Sequence, residues 1–138
     1  MIVIDTNIII SALIKDSITR KIIIESSLKF VYPEMSFYEI LKYKPYILRK
    51  SGYNIKEFEI ILFKIFEYIT LISIEVIESK LQKAKDIMGK IDINDVIFVA
   101  TALAVNNPII WSDDSDFDKQ KTIKILKTKD MVKLFEKQ

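Results

Sequence analysis

The segment MIVIDTNIIISALI, residues 1–14, decides how the chain begins to fold, because an apolar run leads through one aspartate into a second apolar run. Short runs of β-branched residues with no polar alternation are typical of strands buried on both faces of a sheet. We therefore predict a strand over residues 1–5 and then a helix that Thr6 or Asn7 caps and that continues to Ile14. A strand that passes directly into a helix indicates an α/β fold.

The remaining chain repeats this alternation of strand and helix patterns. Further strands are predicted over residues 28–33, 71–76, 108–111 and 122–126. Helices are predicted over residues 17–26, 36–43, 55–68, 78–88 and 93–107, and after residue 126. Ser36 and Glu39 stand in the S-x-x-E relation of a capping box, and residues 51–54 are expected to form a turn. The alternation predicts one domain, residues 1–138, with an open, mostly parallel sheet covered by helices on both faces.

The composition excludes several classes of chemistry. The 138 residues include no cysteine and no histidine, which rules out disulfides, thiolate zinc sites, imidazole metal sites and histidine-based triads. The available groups are carboxylates, hydroxyls, amides and lysines, and the metals that suit them are Mg²⁺, Mn²⁺ and Ca²⁺. Charged residues interrupt every long apolar stretch, and no basic segment precedes the first one. We therefore expect a cytoplasmic protein that keeps its N-terminus and spans no membrane.

Acidic residues follow two of the predicted strands. Asp5 ends the first strand, and the stretch WSDDSDFDKQ, residues 111–120, places four aspartates after the fourth strand. In open α/β sheets, ligands bind beyond the carboxyl ends of the strands, at the point where the strand order reverses. If the order reverses between these two strands, Asp5 and Asp114 are expected to be neighbours.

Two further acids, Glu39 and Asp95, lie near the predicted starts of helices, where the helix dipole offsets part of the cost of gathering anions. Carboxylates about 4 Å apart repel by roughly 1 to 4 kcal/mol per pair, so a cluster requires a divalent cation or raised pKa values. With a cation bound, such a cluster suits the attack of water on a phosphodiester. Each acid also has a structural alternative as a helix cap, a first-turn acid or a turn residue.

A basic patch lies in LKYKPYILRK, residues 41–50, which contains two tyrosines and no acid. Its cations are Lys42, Lys44, Arg49 and Lys50. The net charge of the chain is only +2, so the distribution of charge is more informative than its sum. Cations interleaved with tyrosines suit an RNA backbone with stacked bases, and a solvated helix face is the alternative interpretation.

A calcium-binding loop is one alternative for the aspartate-rich stretch. Asp114, Asp116 and Asp118 match the D-x-D-x-D opening of an EF-hand. Lys119 stands where that loop requires glycine, and Ile125 stands where it requires glutamate. The strand predicted before the loop also contradicts a helix-loop-helix unit, so we reject this interpretation.

Four motifs occur in register over nearly the whole chain. They are IVIDTNIII at residues 2–10, a glutamate in the helix after the second strand, NDVIFVATAL at 94–103 and IIWSDDSDF at 109–117. With these motifs the chain resembles the PIN-domain ribonucleases, and within that family the toxins of VapBC-type toxin-antitoxin pairs. The resemblance implies a three-layer α/β/α fold with strand order 3-2-1-4-5 and hydrolysis of single-stranded RNA with Mg²⁺ or Mn²⁺. It also implies a homodimer and a small antitoxin.

The resemblance also implies roles for individual residues. The catalytic acids are Asp5, Glu39, Asp95 and Asp114, of which Asp5, Asp95 and Asp114 bind the metal, while Glu39 binds it or orients the attacking water. The accessory residues are Asn7, Ser112, Asp116 and Asp92. Asp92 competes with Asp95 as the third ligand, and Glu34 competes with Glu39. Asp113 and Asp118 are expected to face solvent.

Three other functions stay open at this point. A PIN fold can bind RNA or protein without turnover, or it can act as a stand-alone nuclease that has no antitoxin. An aspartyl-phosphate protein would use Asp5 as its nucleophile. However, DTN lacks the second aspartate of the phosphatase D-x-D signature, and no convincing partner lysine follows the last strand but one. Surplus apolar residues in the helices predicted over 17–26 and 55–68 are suggestive of a dimer interface.

Overall fold

The computed structural model describes residues 1–106 and 108–137, and its centre is a parallel sheet of five strands. The strands are β1 (Ile2–Ile4), β2 (Phe30–Pro33), β3 (Ile69–Ile72), β4 (Ile109–Trp111) and β5 (Lys124–Leu126). They lie in the order β3-β2-β1-β4-β5, and every neighbouring pair is parallel. Helices flank the sheet. The predicted three-layer α/β/α fold and strand order are therefore confirmed.

Helices connect the strands in chain order. The α-helices are α1 (Thr6–Ile14), α2 (Ile18–Glu25), α3 (Phe37–Lys42), α4 (Lys44–Ser51), α5 (Ile55–Phe66), α6 (Ile74–Ile77), α7 (Leu81–Met88), α8 (Val96–Ala104) and α9 (Thr128–Glu136). Short 3₁₀ helices lie at Glu34–Ser36, Glu78–Lys80, Ile93–Asp95 and Ser115–Lys119. No helix among residues 1–106 and 108–137 combines the length and apolar character that a membrane crossing requires.

The core forms around β1 and α8. All three residues of β1 are buried, as expected for the central strand of a covered parallel sheet. Helix α8 packs against β1, β2 and β4, and its fully buried Ala100 and Ala102 let the helix approach the strands closely. Trp111, at the end of β4, is also fully buried and donates a 3.0 Å hydrogen bond from its indole nitrogen to the Thr128 hydroxyl. This packing fixes the carboxyl ends of β1 and β4 beside each other.

The third strand differs from its prediction. The expected bounds of this strand, residues 71–76, are wrong, because β3 spans Ile69–Ile72 and Ser73 is the N-cap of helix α6. The four residues of β2, Phe30–Pro33, pair with Ile69–Ile72. The chain turns into a helix where this pairing ends. Helix α8 ends at Ala104, and the predicted last residue of that helix, Asn107, lies outside the described residues.

The first helix begins one residue earlier than predicted. Asp5 occupies the N-cap position with extended backbone angles, and Thr6 is already helical. The prediction that Thr6 or Asn7 caps the helix is therefore wrong. The Asp5 side chain makes no capping hydrogen bond within the described part of the chain, which leaves its carboxylate available for other contacts.

The predicted turn over residues 51–54 is confirmed. Gly52 ends α4 with a φ of 77°, a left-handed conformation that glycine adopts without steric cost. Asn54 then caps α5 through reciprocal hydrogen bonds with Glu57, of 2.8 and 3.1 Å. Pro45 lies in the first turn of α4, where its missing N–H is not needed. The basic patch is thus divided between α3 and α4.

Candidate active site

Asp5 lies at the point where β1 passes into α1. Its backbone N–H donates to the Trp111 carbonyl at 3.1 Å, which joins the ends of β1 and β4. The side chain is only 5% exposed, and its Oδ2 accepts a 2.7 Å hydrogen bond from the Ser112 hydroxyl. Burial raises the pKa of Asp5 to about 6; the Ser112 hydrogen bond opposes this shift, and the nearby charge of Asp114 adds to it. The carboxylate is therefore held in place but is costly to ionise.

The loop after β4 is held by a chain of side-chain to backbone hydrogen bonds. Ser112 is fully buried, and its hydroxyl accepts a 3.0 Å hydrogen bond from the backbone N–H of Asp114. Asp114 in turn accepts a 2.9 Å bond from the N–H of Asp116 and so caps the 3₁₀ helix Ser115–Lys119. One hydroxyl thus positions both Asp5 and the start of the aspartate-rich loop.

Asp95 enters the site from the start of α8. It ends the 3₁₀ helix Ile93–Asp95, which Asp92 caps by accepting a 2.9 Å hydrogen bond from the N–H of Asn94. Asp95 is 8% exposed, and its Oδ2 is buried with no hydrogen-bond partner among the described residues. Burial, together with the charges of Asp5, Asp92 and Asp114, raises the pKa of Asp95 to about 8. An unpartnered carboxylate oxygen among other carboxylates is a position that a cation would stabilise.

The carboxylates that converge most closely are those of Asp92, Asp95 and Asp116. One oxygen from each lies within 4.8 Å of the others. Magnesium binds oxygen at 2.0–2.1 Å, so ligands on its opposite sides are about 4 Å apart. A small closure of the three side chains would therefore suit one hard divalent cation. The charges of Asp5 and Asp114 also act on Asp95.

Glu39 reaches the same region from α3. Its Oε2 accepts a 3.1 Å hydrogen bond from the hydroxyl of Thr6, the residue after Asp5. The predicted capping box is wrong, because Ser36 already has helical backbone angles and makes no side-chain cap within the described part of the chain. The Thr6 hydroxyl also lies 2.7 Å from that of Tyr32, which donates to the Ser36 carbonyl. Burial raises the pKa of Tyr32, and the charges of Glu39 and Asp5 add to the shift.

The sequence did not indicate the contact of Thr6 with Glu39 or the contact of Tyr32 with Thr6. Tyr32 is fully buried in β2 and resembles any other core aromatic residue in the sequence. Thr6 follows an aspartate that ends a buried strand, and this position is the one signal that could have identified it. The Thr6 hydroxyl contacts Glu39 directly, and the Tyr32 hydroxyl contacts that of Thr6.

A cavity of about 330 Å³ opens beside these acids. Its walls include Asp5, Asn7, Ser11, Thr19 and Asp114. Asn7, the predicted accessory amide, is exposed and lines this cavity. The cavity is small, but it is open to solvent beside Asp5, the carboxyl group whose pKa burial raises.

A larger cavity, of about 490 Å³, lies beside α2 and is lined in part by Arg20. The Arg20 guanidinium already donates to the carbonyls of Ala12 and Leu13 and to the Tyr53 hydroxyl. This buried cation holds helices together and is not available to a ligand. The cavity beside Asp5 and Asp114 is therefore the better candidate for the active site, although it is the smaller of the two.

Comparison with known families decides the classification. A family model described as PIN domain matches residues 3–134, nearly the whole chain. The chain belongs to the PIN-domain family. PIN domains are in general nucleases, which agrees with acids gathered at the carboxyl end of a parallel sheet. No curated protein and no solved structure was found to match the chain.

Three other acids of this PIN domain lie outside the cluster. Glu34, which competed with Glu39, is exposed in the 3₁₀ helix before α3. Asp113 is exposed as expected, yet its carboxylate accepts hydrogen bonds of 2.8 and 2.6 Å from the N–H and hydroxyl of Thr128. Asp118 forms a 2.8 Å ion pair with Lys127. Asp113 therefore anchors the start of α9, which the sequence did not indicate.

The predicted RNA-binding cations of the PIN domain differ in their surroundings. The ammonium of Lys44 lies 5.6 Å from the centre of the Phe58 ring, and this lysine is half-buried. Lys42 and Arg49 are exposed. Lys50 is also exposed, and its ammonium lies 5.9 Å from the centre of the Tyr46 ring. Of these four residues, Lys42, Arg49 and Lys50 are therefore exposed to a ligand.

Proposed function

We propose that this PIN domain is a metal-dependent endoribonuclease that hydrolyses single-stranded RNA. The observation that carries the proposal is the buried, unpartnered oxygen of Asp95 among the carboxylates of Asp92 and Asp116. Gathering these carboxylates lowers stability even though Lys119 pairs with Asp116 at 2.9 Å, and a bound cation would reduce that cost. The cluster supports metal binding as part of the function.

The donor set fits Mg²⁺ or Mn²⁺. Carboxylates are the ligands that hard cations prefer, and the chain has neither histidine nor cysteine to favour softer metals. We propose that Asp95 holds the cation together with Asp5 and Asp114, and that Asp92 and Asp116 complete the site. A cation there would supply positive charge at the phosphoryl oxygens and favour deprotonation of the attacking water.

The residues of the chain divide the remaining tasks. Ser112 holds Asp5 and the Asp114 loop in register through bonds of 2.7 and 3.0 Å. Glu39 is half-buried and receives a hydrogen bond from Thr6, so one carboxylate oxygen is oriented while the side chain stays in reach of solvent. We assign to Glu39 the orientation of the attacking water. Hydrolysis would leave a 5′-phosphate and a 3′-hydroxyl.

A finer proposal is that the domain is the toxin of a toxin-antitoxin pair and forms a homodimer. Apolar side chains exposed on α3 and α5 support a protein partner: Tyr38, Leu41, Ile60 and Phe63, the last of them 70% exposed. The oligomeric state can be measured by light scattering during size-exclusion chromatography. A monomer at micromolar concentration would contradict the homodimer. The absence of an adjacent antitoxin reading frame would favour a stand-alone nuclease.

The experiment that tests the main proposal is cleavage of RNA by the purified protein with Mn²⁺. Wild-type protein is expected to cleave an unstructured RNA faster than a hairpin. Asp5→Asn and wild-type protein treated with EDTA are each expected to lose at least about 100-fold in rate. Asp118→Asn is the matched control, because Asp118 is exposed and pairs with Lys127. Undiminished cleavage by Asp5→Asn would show that the activity belongs to a contaminant.

Two other functions have distinct outcomes in the same assay. Mn²⁺ binding without cleavage of any RNA would indicate a binding module. An aspartyl-phosphate protein needs a cation at its nucleophile, but the ammonium of Lys127, the residue after β5, pairs with Asp118 and lies 3.5 Å from the Asp114 carbonyl. Stable trapping by beryllium fluoride would be needed to revive that function.

A further inference from the structure

Two cavities of the PIN domain meet on the outer face of α1. The first is the 330 Å³ cavity beside Asp5, and the second, of about 410 Å³, is lined by Asn7, Ile10, Ser11, Ile14, Tyr43 and Tyr46. Asn7 and Ser11 line both. They are one helical turn apart, about 6 Å along the axis. The two cavities are therefore neighbours along α1, and we name them together the α1 groove, with the acids at one end and the two tyrosines at the other.

The far end of the α1 groove has an aromatic wall. Tyr43 and Tyr46 are 45% and 39% exposed, although they line a cavity with an apolar floor formed by Ile10 and Ile14. A tyrosine ring presents a flat apolar face and requires a partner for its hydroxyl when it is covered. Asn7 adds an amide that can both donate and accept hydrogen bonds. These are the groups that a planar heterocycle with polar edges would contact.

Cations flank this aromatic wall. Tyr46, Arg49 and Lys50 are at i, i+3 and i+4 of α4, so they share one face of the helix. Lys50 lies 5.9 Å from the ring centre of Tyr46. Tyr43 is the N-cap residue of this helix, and Lys42 ends α3 just before it. A negatively charged group attached to the heterocycle would therefore meet cations as it leaves the groove.

We propose that the far end of the α1 groove is a base-binding subsite for single-stranded RNA. It would hold the base of a nucleotide next to the scissile phosphate against Tyr43 and Tyr46, while Lys50 and Arg49 meet the following phosphate. This inference rests on the proposed function, and it adds which residues select an unpaired base. Stacking on an aromatic side chain requires the base to leave a duplex, so the subsite gives a physical reason for preferring single strands.

The subsite is distinct from a track that binds only phosphates. Phosphate contacts depend strongly on salt and are indifferent to the bases, whereas stacking needs a base and depends weakly on salt. Removing Tyr46 should therefore weaken binding at all salt concentrations by a similar factor. Removing Lys50 should reduce the dependence of binding on salt.

The test measures binding of a fluorescent ten-nucleotide oligouridylate by the cleavage-deficient Asp5→Asn protein. Tyr43→Ala and Tyr46→Ala, each introduced into this protein, are expected to weaken binding by about 5-fold to 100-fold. Tyr46→Phe should retain most of the affinity, because it keeps the aromatic ring. This variant therefore separates loss of the ring from damage to the fold. The matched control is Tyr68→Ala, since Tyr68 is 42% exposed and lies between α5 and β3.

A second arm replaces single bases in the oligonucleotide with abasic sites. At one position the abasic site should weaken binding to the parent protein and leave binding to Tyr46→Ala unchanged. Equal affinities of both alanine variants and the Tyr68→Ala control would overturn the subsite, and retained RNA cleavage by wild-type protein would show that the proposed function stands. Failure of the parent protein to bind any RNA, together with no cleavage by wild-type protein, would overturn both.

Discussion

The hydroxyl of Ser112 donates a 2.7 Å hydrogen bond to the carboxylate of Asp5, which lies 107 residues away in the sequence. The same hydroxyl accepts the backbone N–H of Asp114 at 3.0 Å. One buried oxygen atom thus sets the distance between the acid that ends β1 and the loop that follows β4. This relationship depends on β1 and β4 being neighbours, which the strand order provides.

We predict that Ser112→Ala lowers the rate of RNA cleavage by about 10-fold to 100-fold, as expected when a residue that orients a metal ligand is lost. The Ser112 hydrogen bond lowers the pKa of Asp5, so its removal raises that pKa. The rate should therefore reach half its maximum at a higher pH than in wild-type protein. Ser115→Ala is the control, because Ser115 is exposed in the same loop. A reduced rate with an unchanged pH profile would argue against this role.

Asp95→Asn should stabilise the metal-free protein at neutral pH. The pKa of Asp95 rises from 3.8 to about 8 on folding, so the folded protein binds a proton more tightly than the unfolded chain does. The stability that this tighter proton binding contributes is complete below pH 3.8 and is lost as the pH rises towards 8. Asparagine cannot ionise and avoids the loss.

Thermal unfolding in EDTA measures this effect. At pH 8, Asp95→Asn should raise Tm by about 5–10 °C, and at pH 4 the two proteins should unfold at similar temperatures. Adding Mn²⁺ should raise Tm of the wild-type protein and leave the variant nearly unchanged, because the cation binds the ionised carboxylate. A lower Tm for the variant at pH 8 would show that the ionised carboxylate of Asp95 does not destabilise the folded protein.

Asp92→Asn and Asp116→Asn test which carboxylates bind the cation. One carboxylate oxygen each of Asp92, Asp95 and Asp116 lies within 4.8 Å of the other two, and this group does not include Asp5 or Asp114. Each substitution should weaken Mn²⁺ binding by at least about 10-fold in calorimetric titration, since it removes a charged ligand. Lys119→Ala should strengthen binding, because Lys119 pairs with Asp116 at 2.9 Å and competes with the cation. Unchanged affinity in both asparagine variants would restrict the metal site to Asp5, Asp95 and Asp114.

The sequence predicted the parts of this site that depend on topology. An acid at the end of a buried β-branched strand and an acid after another such strand lie at the same edge of a parallel sheet. The charge of Asp114 does act on Asp5. The alternation of strands and helices was equally informative, because few other folds accommodate it.

Contacts between side chains could not be predicted in the same way. Glu39 and Ser36 have the spacing of a capping box, but the preceding 3₁₀ helix makes Ser36 helical. The glutamate is instead oriented by Thr6, from another element. Asp113 resembles a solvent-facing neighbour of Asp114, and its bonds to Thr128 depend on where α9 docks. Such contacts follow from tertiary packing and leave no local pattern.

The contact between Thr6 and Glu39 leads to a prediction about orientation. Thr6→Val keeps the shape of the side chain and removes the donor that meets Glu39 at 3.1 Å. The maximal cleavage rate should fall by about 10-fold while KM changes little, since an orienting contact acts on the transition state. Glu39→Gln should lower the rate further. Glu34→Gln is the control, because Glu34 is exposed outside the cluster; an equal loss there would contradict the assignment of Glu39.

Asp113 and Asp114 are adjacent, yet we expect their asparagine variants to fail in different ways. The Asp113 carboxylate accepts two hydrogen bonds from Thr128 at the start of α9, so Asp113→Asn should lower the free energy of unfolding by about 1–2 kcal/mol. Its cleavage rate at a temperature where the variant is folded should stay within a few fold of wild type. Asp114→Asn should nearly abolish cleavage at every temperature, because Asp114 lines the cavity beside Asp5. Chemical denaturation and initial cleavage rates of both variants separate the two roles, and a catalytic defect in Asp113→Asn without a loss of stability would place Asp113 in the site.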